Sequence, residues 1–455
     1  MRKENNYMRK LLAVWAGKML TAAGKLAGKK SSSSPGEYAM RLCPDLAKEL
    51  QRCVKRGIIV TCGTNGKTTT NNLLCSALEA KGYKVLCNRL GANMLNGIVT
   101  SMIQEMNVLG KLSVDYACLE IDEAYTPIVF EYIKPDVMII TNLFRDQLDR
   151  YGEIDITSDI LKRAMAKVDN LKLVLNGDDP LCVQFGREKG VMPYYYGISE
   201  KVLPQLDDTK EGRFCPVCGA EQEYNYYHYS QLGDYYCPEC GFKRPHIDYD
   251  VKNVKLKSPM EFTINGKPMK INYKGFYNIY NLIAVYGAID LLGEGTDDFS
   301  SLLTAYKPQI GRMQEFTFNK PVILSLSKNP AGFNQAIATV NTDDRKKDVI
   351  VAINDKANDG RDVSWLWDVD FDKIKNDNLN MLITTGIRVW DISLRFKYED
   401  IKVDLMTGSM REAVQACLKS DSEVCYVLVN YTALYPTEAV LNSLLKNGGG
   451  KNDKA

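Results

Sequence analysis

At 455 residues the chain is too long for one hydrophobic core, so two or three domains are expected. A composition of 45% apolar and 25% charged residues is that of an ordinary globular protein, and a net charge of +2 excludes a global attraction to nucleic acid or to anionic surfaces. No stretch approaches the roughly 18 consecutive apolar residues of a membrane span, and cysteines scattered singly, such as Cys62, Cys75, Cys87, Cys118 and Cys425, make no disulfide framework, which fits a reducing cytosol.

Residues 1–36 read as a basic segment and linker. Arg2, Lys3, Arg9, Lys10, Lys18, Lys25, Lys29 and Lys30 stand against Glu4 alone in the first 30 positions. Leu11, Leu12, Trp15, Met19 and Leu26 can share one side of a helix, and Lys18 interrupts the apolar stretch that a signal peptide requires. Two readings of that helix stay open: packing on the body of the protein, which is the simpler, or resting on anionic lipid. Residues 29–36, Lys-Lys-Ser-Ser-Ser-Ser-Pro-Gly, read as a flexible linker.

Residues 58–68 read Ile-Ile-Val-Thr-Cys-Gly-Thr-Asn-Gly-Lys-Thr. A buried strand running into a Gly-rich turn and then a helix is the context of a phosphate cradle. Backbone N–H groups of the turn and helix start face phosphate oxygens, Lys67 neutralises the outer phosphates, and the Thr68 hydroxyl can hold Mg²⁺. Thr61 occupies the place of the first Gly of the generic motif. The pattern points to ATP. Strand-like runs follow at 83–87, 116–120, 137–141 and 171–175 with helical stretches between, which predicts a mainly parallel sheet covered on both faces. Ligands of such sheets bind at the carboxyl ends of strands. Glu120, Asp122 and Glu123 follow one strand end, and Asn142 and Asp146 another. Glu120 is the carboxylate expected to hold Mg²⁺; a solvated acidic loop is the alternative reading of all three carboxylates, and it weighs more for Asp122 and Glu123.

Cys215-Pro-Val-Cys218-Gly and Cys237-Pro-Glu-Cys240-Gly are two CxxC knuckles whose four thiolates can close a tetrahedral site, so a structural Zn²⁺ ribbon is expected at about 207–247. Tyr224, Tyr226, Tyr227, Tyr229, Tyr235 and Tyr236 cluster there, read as hairpin packing rather than base stacking because basic residues are few. Strand-like runs at 322–326, 349–353, 381–384 and 424–429 predict a separate C-terminal α/β domain over 311–446, after a central ATP-binding domain over 37–310, with a disordered tail at 447–455.

These residues together resemble the Mur ligase superfamily, ATP-dependent enzymes that join an amine to a carboxylate. The phosphate loop Gly63-Thr64-Asn65-Gly66-Lys67-Thr68-Thr69 is similar to theirs, as is 277–284, where the family's adenine-contacting Asn falls on Asn281. Gly311-Arg312 resembles the entry to the family's C-terminal domain, whose Arg contacts nucleotide, and Lys328 matches a Lys near the γ-phosphate. The resemblance implies a mainly parallel central ATPase sheet and a Rossmann-like C-terminal domain. Residues 119–123, 144–153, 328–332 and 359–365, with the four-Cys insert, narrow it to the MurT-type ligase subunits of lipid II isoglutaminyl synthases.

That resemblance implies a peptidoglycan-synthesis enzyme in the cytoplasm, at the inner face of the cell membrane. Its reaction would be ATP-dependent amidation of the α-carboxyl of D-glutamate in the lipid II stem peptide to D-isoglutamine, through an acyl phosphate. Ammonia would come from a GatD-like class I glutaminase in a heterodimer, to whose Cys and His the ligase adds an Asp. By motif position that Asp is Asp362, with Asp359 and Asp355 as fallbacks; its local reading is a cap for a helix beginning near Ser364. Only His228 and His246 exist, both by the zinc insert, so the chain lacks a His for a Cys–His glutaminase of its own. Three departures mark it off from amino-acid-adding members: Gln147 at a Mg²⁺-binding His position, no Lys clearly at the carbamylated position although Lys162 is near, and no UDP-binding domain ahead of the first strand. An amino-acid-adding Mur or folylpolyglutamate-type ligase is the competing enzyme reading. A nucleic-acid protein is disfavoured, since no basic stripe exists.

Overall fold

The computed structural model describes residues 2–26, 32–89, 92–145, 154–203, 212–257, 259–272, 274–303, 310–357 and 359–448. They form two compact units. The first comprises Met1–Leu143, Ile154–Tyr273 and Asn278–Tyr306; the second comprises Phe144–Glu153, Lys274–Tyr277 and Lys307–Ala455. The second unit thus takes two short segments from before the division expected at 310/311.

The first unit holds β1 (Val54–Cys62), β2 (Val85–Cys87), β3 (Val114–Glu120), β4 (Val137–Ile140), β5 (Leu171–Asn176) and β6 (Val191–Ile198), a hairpin of β7 (Glu223–Tyr229) and β8 (Leu232–Tyr236), then β9 (Tyr249–Lys255), β10 (Met260–Ile264) and β11 (Lys267–Ile271). Apart from the hairpin these build one sheet in the order β11-β10-β9-β6-β5-β4-β1-β3-β2. It is parallel from β2 to β9 and closes with the antiparallel β9, β10 and β11. Residues 57–62 of β1 are buried without alternation, as a central parallel strand covered on both faces must be. The chain leaves β1 towards β3 and β2 and returns on its other side through β4. The carboxyl end of β1 is therefore a switch point, where ligands of such sheets bind. The expected parallel sheet is present with its strands within a few residues of the expected positions.

Helices α1 (Arg2–Leu26), α2 (Ser34–Leu42), α3 (Lys67–Ala80), α4 (Leu95–Glu105) and α5 (Tyr277–Leu291) belong to this unit. The basic N-terminal segment is a layer of it rather than an appendage, because Ala13 and Val14 are fully buried in the same core as Ala39 and Ile103. The linker expectation needs correction: residues 34–36 open α2. Pro35 stands in the first helical turn, where its missing N–H costs nothing. Gly36 donates its N–H to Thr100 Oγ1 at 2.9 Å, and a Cβ there would come within 1.9 Å of the Asn96 carbonyl oxygen, so only Gly lets α2 lie this close to α4. Residues 29–31 of the expected linker lie outside the described residues. Cys75 and Cys87, read above as isolated, are joined as a disulfide between α3 and β2. Strand pairing around β1 and β3 brings the helix and the strand edge together, a proximity that sequence spacing does not reveal.

The second unit holds β12 (Gln314–Thr317), β13 (Pro321–Leu326), β14 (Lys347–Ala352), β15 (Leu379–Thr385), β16 (Leu405–Met406) and β17 (Val424–Val429), with helices α6 (Pro330–Asn341) and α7 (Val389–Tyr398). Their order is β12-β13-β17-β14-β15-β16, parallel throughout except for the β12–β13 pair. This is the Rossmann-like layer expected. The last helix runs Tyr431–Gly448, so residues 447 and 448, expected in a disordered tail, are helical; 449–455 lie outside the described residues. No helix among the described residues is long and apolar enough to cross a membrane.

Because α1 shares its inner face with the core, Ala13→Asp buries a carboxylate without a partner there. The variant is expected to lose roughly 3 kcal/mol of stability, read as a lower urea midpoint at an unchanged slope.

Candidate active site and metal centre

The turn after β1 is held by the strand beside it. Thr64 donates its N–H to the Asn142 carbonyl at 2.8 Å, and the Asn65 N–H goes to Asn142 Oδ1 at 2.9 Å. In return Thr141 Oγ1 and Asn142 Nδ2 donate to the Asn65 carbonyl at 2.7 and 3.0 Å. Gly63 has φ +119°, and a Cβ on it would lie 2.2 Å from Thr141 Oγ1, so the glycine is demanded by conformation and by space. These bonds correct one expectation: the N–H groups of residues 63–65 are committed within the protein. The N–H groups left for an anion are those at the start of α3, which as first-turn donors have no intrahelical partner. Thr69 is buried in that first turn and Thr68 half-buried.

Register supplies the carboxylates. Thr61 of β1 lies opposite Glu120 at the end of β3. Asn88, which sequence reasoning passed over, clamps that end by accepting the Glu120 N–H at 2.9 Å and donating to its carbonyl at 2.8 Å. Glu120, Asp122 and Glu123 are all buried, so Asp122 and Glu123 are not a solvated loop. The short helix Glu123–Tyr125 folds the acidic segment back under the phosphate loop. Glu123 Oε1 accepts the Gly63 N–H at 2.6 Å and lies 3.0 Å from Lys67 Nζ, while Lys67 also donates to the Gly63 carbonyl at 2.6 Å. Burial opposes the ammonium, but the charges of Glu123, Asp122 and Glu120 outweigh it and hold the Lys67 pKa well above the usual lysine value. Lys67 is therefore cationic at any physiological pH. The oxygen donors of Thr68 and Glu120 are of the type Mg²⁺ takes.

Asn281 reaches the same turn from α5. A Cβ on Gly66, itself at φ +87°, would lie 2.2 Å from Asn281 Oδ1, and Thr70 Oγ1 bonds that oxygen at 3.3 Å. Thus Gly63, Thr64, Asn65, Gly66, Lys67, Thr68, Thr69, Glu120 and Asn281 surround one loop of the first unit. Glu123, Thr141 and Asn142 complete it. Asn142 was visible as a strand-end residue, but nothing in the sequence said that β4 pairs with β1. Asp146 and Gln147 lie outside the described residues. Lys162 faces Glu188 at 3.8 Å.

The four cysteines of the ribbon converge. The sulfurs of Cys215, Cys218, Cys237 and Cys240 all lie within 4.8 Å of one another. Each knuckle is closed the same way: Cys215 N–H to the Ala220 carbonyl and Cys237 N–H to the Phe242 carbonyl, both at 2.7 Å, with Gly219 and Gly241 at positive φ. Four soft donors around one point fit a tetrahedral metal with no open position, a structural role. The tyrosines pack as expected: Tyr224 stacks on Tyr227 at 4.1 Å between centroids, and Tyr235 lies on Phe242. The ribbon is bolted to the sheet through Asp178, which accepts from Arg244 Nε, Tyr280 Oη and the Ile198 N–H at 2.7, 2.7 and 2.9 Å. His228 is buried against the Ile198 carbonyl in the same region.

In the second unit Lys328 follows the carboxyl end of β13, and Arg312 follows Gly311, whose carbonyl accepts the Leu326 N–H at 2.8 Å. Of the three candidate aspartates after β14, Asp355 is paired with Arg388 at 2.8 Å, and buried Asp359 accepts both the N–H and the hydroxyl of Thr432. Asp362 is exposed. Its oxygens accept the N–H and hydroxyl of Ser364, each at 2.8 Å, which lowers its pKa. The expected cap is not formed as such: Val363 is the N-cap of the short helix Ser364–Asp368, and Asp362, one residue earlier, ties down its first residue. Beside this loop, α7 exposes Trp390, Leu394 and Tyr398 on one side, and Trp367 meets Tyr398 edge-on.

Two family models match the chain: the Mur ligase middle domain over residues 60–289 and the MurT ligase C-terminal domain over 326–434. The lipid II isoglutaminyl synthase (glutamine-hydrolyzing) subunit MurT of Staphylococcus aureus (strain COL) is 32% identical, covering 97% of this chain and 100% of the relative. Its counterpart in Streptococcus pneumoniae (strain ATCC BAA-255 / R6) is 33% identical over 93% of this chain and 97% of its own length. Among solved structures, a pseudomurein peptide ligase type C from Methanothermus fervidus superposes with a TM-score of 0.70 at 23% identity, covering 87% of this chain and 80% of that one. A MurF ligase from Thermotoga maritima in complex with ADP gives 0.64 at 15% identity, covering 91% and 85%; both show the shared fold.

Cys237→Ser opens the four-sulfur site. Bound metal, measured by elemental analysis, is expected to fall well below one ion per chain, and the melting temperature to drop with it, because the metal's binding free energy contributes to folding.

Proposed function

The chain belongs to the Mur ligase family, in its MurT branch, and from that premise we propose that it amidates the α-carboxyl of D-glutamate in the lipid II stem peptide, giving D-isoglutamine for peptidoglycan. A carboxylate oxygen attacks the γ-phosphorus of ATP and ADP leaves, forming an acyl phosphate. The lone pair of ammonia then adds to the acyl carbon, a proton is lost from nitrogen, and inorganic phosphate departs with the C–O bonding pair. The observation that carries this reading is the phosphate loop of β1, walled by buried carboxylates with a permanently charged Lys67 at its centre.

The residues divide the work. Lys67 and the α3 N–H groups take the charge that builds on the transferring phosphoryl group. Thr68 and Glu120 would hold Mg²⁺, which would supply positive charge against the phosphates. Asn281 would contact the adenine side, and the family resemblance assigns nucleotide contacts to Arg312 and Lys328 as well. Zn²⁺ on Cys215, Cys218, Cys237 and Cys240 would fix the ribbon.

The ammonia would come from a GatD-like class I glutaminase forming a heterodimer with this chain. Buried His228, lodged against the Ile198 carbonyl in the ribbon region, supports that reading. So does the exposed aromatic face of α7 beside Asp362, the kind of aromatic surface protein interfaces use. Among the three candidate aspartates, Asp355 is paired with Arg388 and Asp359 is buried against Thr432, whereas Asp362, though bonded to Ser364, is exposed, which favours Asp362 as the residue that orients the partner's His. A lipid-borne substrate would put the work in the cytoplasm at the inner membrane face. The four-Cys ribbon and the MurT-type C-terminal domain favour this over an amino-acid-adding ligase.

Mass spectrometry of lipid II after incubation with ATP, glutamine and the purified pair tests the reaction; unamidated product would refute it. Lys67→Ala and Glu120→Ala are each expected to cut amidation by about 100-fold or more, with Glu120→Ala affecting turnover more than ATP affinity. Near-normal turnover of Glu120→Ala at saturating Mg²⁺ would remove its role.

Asp362→Asn keeps the shape and removes the charge that stabilises imidazolium. Glutamine hydrolysis by the complex is expected to fall by roughly 10³-fold or more, while ammonium salt at raised pH restores some of the amidation. A mere cap would cost about 1 kcal/mol of stability and leave hydrolysis intact.

A further inference from the structure

A helix that only packs on a core needs one apolar side, and α1 has two. Its inner side, Ala13, Val14, Gly17 and Thr21, is buried. On the opposite side Met8, Leu12, Trp15, Met19 and Leu26 fall within an arc of about 60° at 100° per residue, and every one of them is at least half exposed, Met19 at 73% and Leu26 at 91%. The 107–109 loop extends this surface. Trp15 Nε1 donates to the Val108 carbonyl at 2.8 Å, and Val108 and Leu109 are themselves exposed at 68% and 52%.

Charge says what covers it. No acidic residue occurs between Glu4 and Glu37, whereas Arg9, Lys18 and Lys25 flank the apolar stripe. Lys10, on the buried side, is spent on Glu49 at 2.5 Å. A second copy of the chain would set these cations against their own kind. An apolar stripe with an indole at its middle and basic residues along both margins is instead the pattern of a helix lying in a lipid interface. We propose that the outer face of α1, with Val108 and Leu109, docks on an anionic lipid bilayer. Its purpose, keeping the ligase where a lipid-borne substrate is found, rests on the proposed function; the binding itself does not.

The full chain, sedimented with vesicles of phosphatidylglycerol and phosphatidylcholine, is expected to pellet, and to remain in solution with phosphatidylcholine alone or at high salt. Leu12→Glu/Met19→Glu, two exposed positions, should lower the bound fraction by roughly 10-fold with an unchanged melting curve. Equal binding by the variant, no preference for anionic vesicles, or a dimer of the wild type that the variant dissolves would each overturn the proposal. Amidation of lipid II in detergent micelles by the complex should be the same for wild type and variant. A wild-type complex that binds vesicles yet fails to amidate lipid II in micelles would sink the functional reading and leave the docking surface standing.

Discussion

A buried ammonium must be compensated where it sits, and the geometry of the first unit follows from how Lys67 is compensated. Its partner Glu123 is buried even more deeply than the lysine, and deleting the lysine would strand that carboxylate at a cost of about 3–5 kcal/mol. The same carboxylate accepts the Gly63 N–H, so the ion pair also fixes the turn. Asn142 fixes the turn from β4, and Asn88 fixes the end of β3 that carries Glu120. The rigid cradle is thereby assembled from three strand ends whose only sequence link is the parallel pairing of β3, β1 and β4.

Further along the same sheet, Asp178 has a comparable role. One fully buried carboxylate receives a guanidinium from the ribbon, a phenol from α5 and a backbone N–H from the end of β6. Since Tyr280 adjoins Asn281, Asp178 connects the four-Cys insert to the helix that reaches the Gly66 turn. Removing Asp178 would leave Arg244 without its buried counter-charge, so the hub is specified by electrostatics rather than by shape.

Much of this was legible in the chain itself. The phosphate loop, the two CxxC knuckles and the strand runs of both sheets carry local signals: a glycine turn before a helix, paired thiols, unbroken apolar stretches. What escaped were facts of pairing. Glu123 looks like a loop acid until the short helix after β3 turns it under Gly63. Cys75 and Cys87 look isolated until α3 and β2 are seen side by side. Residues 34–36 look like linker composition, yet Gly36 is there because the helices behind it approach closely. Asp362 was readable as a cap and as a charge for a partner, and its exposure is compatible with both.

The contact between Gly66 and Asn281 also governs when the cradle can exist. The two sides of that contact are brought together across most of the unit, as the Thr70–Asn281 bond spans 211 residues. Loop closure over such a distance comes late in folding. A chain emerging from the ribosome would have β1, its turn and α3 long before α5. On the proposed function, the half-built loop, lacking its far wall, would have little hold on nucleotide, so acquisition of ATP binding would serve as a natural marker that the ribbon, the antiparallel edge and α5 have all docked.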